Sequence, residues 1–142
     1  MKTVKQILEN KANAVYFVSP STYVYSALEV MQQKNISALL IMDGKVLHGI
    51  FTERDYARKI ALKNRSSKET RVSEVMTSNI LSITLKDTIE YCMKVMTDSH
   101  IRHLPVLENG EVVGIISIGD VVKNIIESQK STIEYLENYI YG

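Results

Sequence analysis

The 142-residue sequence lacks the features that mark several common classes of protein. Its one cysteine, Cys92, excludes an intramolecular disulfide and a cysteine-based zinc cluster, and is compatible with a reducing compartment. Lys and Arg number 17 against 16 for Asp and Glu, so the net charge of +1 gives no basic excess for general nucleic-acid binding. There is no apolar run long enough to span a membrane and no signal-peptide pattern. We therefore expect a cytoplasmic protein that binds neither nucleic acid nor membrane.

What the sequence does contain is an internal duplication with an offset of 65 residues. The offset pairs residues 18–60 with residues 83–125 without a gap. Each copy ends in an apolar segment followed by Gly-x-x-Thr/Ser-x-x-Asp, at Gly49–Asp55 and at Gly114–Asp120. The chain is 45% hydrophobic and can bury a core, but each half alone would be marginal. We therefore expect the two copies to pack on each other with pseudo-symmetry.

Both copies predict the same order of elements: strand, helix, strand, strand, helix. Residues 22–34 and 87–99 place apolar residues at i, i+3, i+4 and i+7, which is typical of amphipathic helices. Asp87, followed three residues later by an acid, is interpreted as the N-cap of the second of these helices. Asp43-Gly44 and Asn109-Gly110 lie between apolar runs and predict β-hairpins.

These patterns divide the chain into four segments. Residues 1–62 form the first repeat with an N-terminal segment, 63–71 a polar linker, 72–127 the second repeat, and 128–142 a C-terminal helix. The last segment combines aliphatic residues at helical spacing with three tyrosines: Ile133, Leu136, Ile140, Tyr135, Tyr139 and Tyr141. Because such a helix usually docks on something, we expect it to contact its own domain or a second chain.

The repeated motif has a structural and a functional interpretation. Taken singly, Thr52 with Asp55 and Ser117 with Asp120 are capping boxes, in which the hydroxyl and the acid satisfy backbone amides at a helix start. The same acid recurs at the same register in both copies, however, and a carboxylate there can accept two hydrogen bonds from the vicinal diol of a ribose. The free amides of the helix N-terminus favour a phosphate nearby. The pair of motifs therefore predicts two ribonucleotide sites.

Together, these residues resemble the cystathionine-β-synthase (CBS) domain family in its tandem form. The resemblance covers nearly the whole chain, through both helices, residues 36–40 and 101–106, and both glycine-to-aspartate motifs. Residues 52–59 and 65–68, with the tyrosine-rich tail, are similar to stand-alone CBS-pair proteins of bacteria and plant organelles. The resemblance implies an α/β fold of two β-α-β-β-α repeats packed with pseudo-two-fold symmetry, plus the C-terminal helix.

The resemblance implies a regulatory protein that binds an adenine nucleotide in the cleft between the repeats and senses energy or redox state. AMP is the foremost ligand that it implies, with ADP, ATP or NAD as alternatives, and no metal. One implied site combines residues of both repeats: Thr52, Asp55, Asn79, Ile80, Leu81, Arg102 and His103. The other combines Ser117 and Asp120 with Ala14, Val15, Tyr16, Ile36, Ser37 and Ala38. Arg54, Ile101, Pro105 and Gly119 complete the implied set.

The two copies differ where the resemblance places the centre of the cleft. Under the 65-residue offset, the three cationic candidates Arg54, Arg102 and His103 correspond to Gly119, Ser37 and Ala38. Arginine is suited to bridging phosphates by forked hydrogen bonds, and a histidine there could make the affinity pH-dependent near neutrality. Because these cations are distributed unevenly, we predict unequal affinities at the two sites.

No catalytic constellation accompanies the motifs. The sequence shows no metal-binding carboxylate cluster, no base beside a nucleophile and no phosphate loop with a lysine, and His100 and His103 lack a third metal ligand. We therefore predict a protein that is not an enzyme and that forms a homodimer, as the family generally does. Cys92 is predicted to be a core thiol. The alternative is a modulator of a protein partner, such as a thioredoxin-type enzyme, with its nucleotide sites unused.

Overall fold

The computed structural model describes residues 2–11 and 15–141, except the side chains of residues 139 and 141. In chain order the elements are α1 (Val4–Glu9), β1 (Phe17–Val18), α2 (Val24–Lys34), β2 (Ala38–Asp43), β3 (Val46–Thr52), α3 (Glu53–Asp55) with a following π-helix (Tyr56–Ala61), α4 (Val72–Val75), α5 (Ile89–Ser99), β4 (His103–Glu108), β5 (Glu111–Ser117) and α6 (Ile118–Tyr141). The predicted order is confirmed, although the first strand of the second repeat is reduced to one bridge between Ile83 and Val106. No helix in the described ranges is long and apolar enough to cross a membrane.

The chain divides into two compact units, neither of which is a continuous half of the sequence. Unit 1 comprises residues 1–13, 82–108 and 113–142, and unit 2 comprises residues 14–81 and 109–112. Each unit therefore joins most of one repeat to the short helix that precedes the other repeat, α1 in unit 1 and α4 in unit 2. The segment boundaries predicted above follow the repeats in sequence, whereas the units follow the packing.

Unit 2 is built on a three-stranded sheet in the order β1-β2-β3. Strand β1 is parallel to β2, and β2 is antiparallel to β3, with Ala38 opposite Thr52 at the end that leads into α3. Helix α2 has no side-chain cap, and its first amides donate to linker carbonyls instead, Val24 N to Thr70 O at 2.8 Å and Tyr25 N to Ser67 O at 2.8 Å. The polar linker therefore completes the start of this helix.

Strand β4 pairs with β5, and Asn109 and Gly110 in the turn between them have φ of 52° and 80°. Positive φ at both positions is the signature of a type I′ hairpin turn, so this predicted hairpin is confirmed. The predicted cap of α5 is wrong: Thr88 accepts from Tyr91 N at 3.1 Å, whereas Asp87 accepts from Thr84 N in the preceding turn. Two candidate caps are adjacent in the sequence, and the turn before the helix engages the acidic one.

Cys92 is a core thiol, as the helical pattern predicts. It is fully buried within unit 1, in the cluster that also contains Ile89, Met96 and Leu104. Burial, reinforced by the negative charge of Asp87, raises the pKa of the thiol to about 11. At neutral pH the side chain is therefore a protonated apolar group rather than a reactive thiolate.

The predicted C-terminal helix is continuous with the last helix of the second repeat. Helix α6 begins directly after Ser117 and runs to Tyr141 without a break. Val121 is fully buried, and Ile118 and Ile125 pack against the unit 1 core. From Ile126 onwards, every side chain of α6 that the structure describes is exposed.

The glycine that opens each motif is required by close packing within its own unit. A Cβ added at Gly49 would lie 2.6 Å from Met76 Sδ and 2.8 Å from the Thr77 carbonyl oxygen. A Cβ added at Gly114 would lie 2.8 Å from both Cδ atoms of Leu8. Met76 follows α4 and Leu8 belongs to α1. The missing side chain at each motif glycine therefore leaves room for the segment that contains the short helix preceding the other repeat.

We expect Gly49→Ala to lower the free energy of unfolding by about 1–3 kcal/mol, the usual cost of overpacking a core. Gly114→Ala should cost less, because the Leu8 side chain can rotate away whereas the Thr77 carbonyl is fixed in the backbone. Urea unfolding at neutral pH measures both losses. Gly119→Ala is the matched control, because its Cβ would meet only Ser117 Oγ at 3.6 Å. If Gly49→Ala is as stable as this control, the packing explanation is wrong.

Candidate functional site

The carboxylate of Asp55 is almost fully engaged within unit 2. The residue is 6% exposed and completes a capping box with Thr52. On Oδ2 it accepts from Thr52 N at 3.0 Å and from the Thr52 hydroxyl at 3.1 Å. On Oδ1 it accepts from the Thr77 hydroxyl at 3.1 Å and pairs with Lys59 Nζ at 3.0 Å. Two oxygens with about four lone-pair positions thus already hold four donors.

Asp120, the corresponding residue in unit 1, accepts from the start of its own helix and from Lys11. Its Oδ2 accepts from Ser117 N at 2.9 Å and from Lys11 Nζ at 2.7 Å, and its own amide donates to Ser117 Oγ at 3.2 Å. Lys11 also donates to the Ile115 carbonyl at 2.9 Å. Both of these hydrogen bonds to the carboxylate use Oδ2, and the Ser117 hydroxyl also helps to stabilise its charge.

Lys11 and Ser117 keep Asp120 ionised. Burial disfavours the charged carboxylate, but the hydrogen bonds from Lys11 and from the Ser117 amide outweigh it and hold the pKa of Asp120 below its usual range. A depressed pKa means that this carboxylate stabilises the fold above the pKa of the unfolded chain and loses that contribution as the pH falls. At neutral pH the site presents a negative acceptor next to a lysine ammonium.

The segments that precede β2 and β4 lie beside the helix starts of their own repeats. Glu53 N donates to Ser37 O at 3.1 Å in unit 2, and Ile118 N donates to Arg102 O at 2.9 Å in unit 1. Ser37 is therefore adjacent to the Thr52 motif, and Arg102 is adjacent to the Ser117 motif. The resemblance instead groups the Thr52 motif with Arg102, and the Ser117 motif with Ser37. Each of these groups takes residues from both units, and this grouping stays a prediction.

His103 is half-buried at the start of β4, in the same electrostatic environment as Asp120. Burial, and then the positive charges of Lys11 and Arg102, lower the pKa of His103, while the charge of Asp120 opposes the shift. The shift favours the neutral imidazole in the free protein. The pH dependence of ligand binding predicted for this histidine stays a prediction.

The remaining predicted site residues divide between the units. Unit 2 holds Val15, Tyr16, Ile36, Ala38, Arg54, Asn79, Ile80 and Leu81, and unit 1 holds Ile101, Pro105 and Gly119. Ala14 lies outside the described residues. The Tyr16 ring lies 5.1 Å from Lys34 Nζ, within cation–π range. Within the described part of the chain, no group of three or more His, Cys, Asp and Glu side chains could hold a metal ion.

Three residues that contact the two acids are missing from the predicted site. Lys59 could have been found, because it lies four residues after Asp55 on the same helix, a spacing that favours ion pairs. Lys11 and Thr77 reach the acids only through the tertiary packing of the segments around α1 and α4. No local pattern links Lys11 to an acid more than a hundred residues later in the chain.

A family model described as "CBS domain" matches the chain twice, over residues 4–62 and 72–127. The chain belongs to the CBS-domain family. This CBS pair is 34% identical over 149 residues to the Arabidopsis thaliana CBS domain-containing protein CBSX3, mitochondrial, a match that covers 99% of this chain and 72% of that protein. A solved structure of a protein with CBS domains from Burkholderia ambifaria MC40-6 is 46% identical, with a TM-score of 0.87 over 90% of this chain and 96% of that one.

A more distant neighbour carries ligands. The structure of the CBS domain pair of protein MJ0100, in complex with 5′-methylthioadenosine and S-adenosyl-L-methionine, has a TM-score of 0.79 and covers 90% of this chain and 98% of that one. At 22% identity this likeness concerns the fold alone. The family match and these structures confirm the predicted α/β fold of two CBS repeats with a C-terminal helix.

Proposed function

We propose that this CBS pair is a non-catalytic regulatory protein that binds an adenine nucleotide, AMP foremost, with Asp55 and Asp120 as acceptors for ribose hydroxyls. The observation that carries the proposal is the Asp120 carboxylate, which is held ionised by Lys11 and accepts from Lys11 Nζ and Ser117 N on the same oxygen, Oδ2. A vicinal diol needs such an acceptor. The adenosine-type ligands of MJ0100 support the choice of an adenine nucleotide.

Positive charge near Asp120 supports an anionic ligand rather than a free nucleoside. Lys11 and Arg102 both act on the His103 imidazole, so all three groups share one electrostatic environment in unit 1. A phosphate close to them would be stabilised by the two permanent charges and would favour protonation of His103. We therefore propose that the nucleotide carries at least one phosphate.

The two acids offer different capacity to a ligand, which supports the predicted inequality of the two sites. Both oxygens of Asp55 accept from described groups, so a ribose diol there has to displace Thr77 or Lys59, whereas the contacts of Asp120 with Lys11 Nζ and Ser117 N share Oδ2. We propose that the site containing Asp120 binds more tightly. The other predicted nucleotide-binding residues are part of the same proposal.

Thermal unfolding with and without ligand tests the proposed function. A nucleotide at 100 times its dissociation constant adds about 2.7 kcal/mol to the free energy of unfolding, so millimolar AMP, ADP, ATP or NAD should raise the Tm by several degrees. The matched control is 2′,3′-dideoxy-AMP, which keeps the base and phosphate but lacks the diol, and we expect little shift with it. If none of the four ligands raises the Tm, or if the dideoxy compound acts as strongly as AMP, the ribose interpretation is wrong.

We also propose that the protein works in the cytoplasm as a homodimer. Exposed apolar side chains support self-association, and they are concentrated on α6, with Tyr25 of α2 also 44% exposed. Modulation of a different protein partner is the alternative, and an unchanged Tm with every nucleotide would favour it.

A further inference from the structure

The outer half of α6 carries an apolar stripe with a coiled-coil pattern. Its large side chains are 42–69% exposed: Val122, Ile126, Ile133, Leu136 and Ile140. With Ile126 as position a, Ile133 and Ile140 are also a positions, and Val122 and Leu136 are d positions, with a polar Gln129 at the d position between them. Isoleucine or valine at a and leucine at d is the pattern of paired helices. The b, c and f positions are polar except for Tyr135: Glu127, Ser128, Ser131, Glu134 and Asn138.

This stripe is separate from the face that α6 uses within its own unit. The unit 1 core takes up Ile118, Val121 and Ile125. The 24-residue helix is about 36 Å long at 1.5 Å per residue, so more than half of it extends beyond Ile125. A free helix of about 15 residues is marginal in water, because helices gain most of their stability from packing an apolar face. The stripe therefore requires an apolar partner.

Charges beside the stripe indicate which partner fits. Lys130 and Glu137 both occupy the e position, on the same flank of the seam. In an antiparallel pair the e flanks of the two helices face each other, so Lys130 can meet Glu137 of the partner subunit twice. The same register sets Ile133 against the partner's Leu136. In a parallel pair the e positions face the g positions, where Ile125 and Thr132 offer no opposite charge.

We infer that a second copy of this chain covers the outer part of the stripe, at Ile133, Leu136 and Ile140, through an antiparallel pairing of α6 with α6 in which Lys130 and Glu137 form reciprocal ion pairs. The inference rests on the proposed homodimer and goes further by naming the seam and its direction. Gln129 falls at the outer layers, opposite Ile140 of the partner subunit, where a polar residue favours one register over others at some cost in stability.

Sedimentation equilibrium of the full chain tests this pairing with charge reversals. Lys130→Glu or Glu137→Lys alone places like charges together in two symmetric pairs, and we expect each to raise the dimer dissociation constant about tenfold. The double variant Lys130→Glu/Glu137→Lys should restore wild-type association. Lys130 and Glu137 are seven residues apart on one helix, so rescue reports contact between subunits and not within one. Lys94→Glu makes the same change at an exposed position of α5 and should leave the dimer dissociation constant unchanged.

Ile133→Asp removes the central layer and should leave the chain monomeric at concentrations where the wild type is dimeric. Because Ile133 is 54% exposed, its replacement should not prevent folding, which circular dichroism checks. A dimer that survives Ile133→Asp overturns the α6 seam but leaves the homodimer standing. A dimer that Ile133→Asp disrupts but the charge reversals do not affect overturns the antiparallel direction. A wild-type chain that is monomeric throughout overturns the seam and the homodimer together.

Discussion

Asp55→Ala is expected to lower the free energy of unfolding by about 3 kcal/mol, the largest loss of stability that we predict for a single substitution. Removing the carboxylate leaves the donors of Thr52, Thr77 and Lys59 without their shared acceptor at a position where the acid is only 6% exposed. The loss stays at the lower end for a broken buried ion pair, because the Lys59 side chain is 42% exposed and regains water. Denaturant unfolding at neutral pH measures it.

Asp120→Ala is the matched comparison for stability. Its carboxylate accepts from Lys11 Nζ and Ser117 N on one oxygen, and its side chain is 21% exposed, so we expect a loss of about 1 kcal/mol, similar to that of a helix cap. Equal losses for the two variants would contradict the prediction that Asp55 contributes more than Asp120 to the free energy of unfolding.

Asp120→Ala should instead have the larger effect on ligand binding. A hydrogen bond to a charged acceptor contributes about 1.5–3 kcal/mol, so losing the Asp120 acceptor should weaken AMP binding about 10- to 150-fold. Titration calorimetry measures this on protein shown to be folded at the same temperature. Asp55→Ala, compared under conditions where it is folded, should reduce the affinity of the tighter site much less.

Asp43→Ala, which removes an exposed acid at the end of β2, is the control for a general change in charge. It should bind AMP as the wild type does. Should Asp120→Ala keep an affinity within about twofold of this control, the ribose contact proposed for Asp120 would be wrong.

The duplicated pattern was sufficient to predict much of the fold. Apolar residues at helical spacing predicted α2 and α5, and the glycine-containing turns predicted both hairpins, because these are local signals with a direct backbone cause. The capping role of Thr52 with Asp55 was predicted as one of two interpretations, and the structure contains it. That role does not exclude ligand binding, because a carboxylate has about four lone-pair positions and can accept from a cap and a ligand together.

The parts that could not be predicted depend on contacts between distant segments. Helix α1 has only six residues, and its place in unit 1 is set by Leu8 packing against Gly114. The same packing brings Lys11 to Asp120, which no spacing in the sequence signals. The sequence does not decide the N-cap of α5, because Asp87 and Thr88 are both good caps and the Thr84 amide, which donates to Asp87, selects between them.

A crystal structure grown with saturating AMP is the most direct test of nucleotide binding by this CBS pair. We predict that a ribose hydroxyl lies within about 3 Å of Asp120 Oδ1, while Lys11 or Ser117 still contacts the same carboxylate. Crystals in which AMP is absent at saturating concentration, or in which its ribose lies away from both Asp120 and Asp55, would contradict the proposed function.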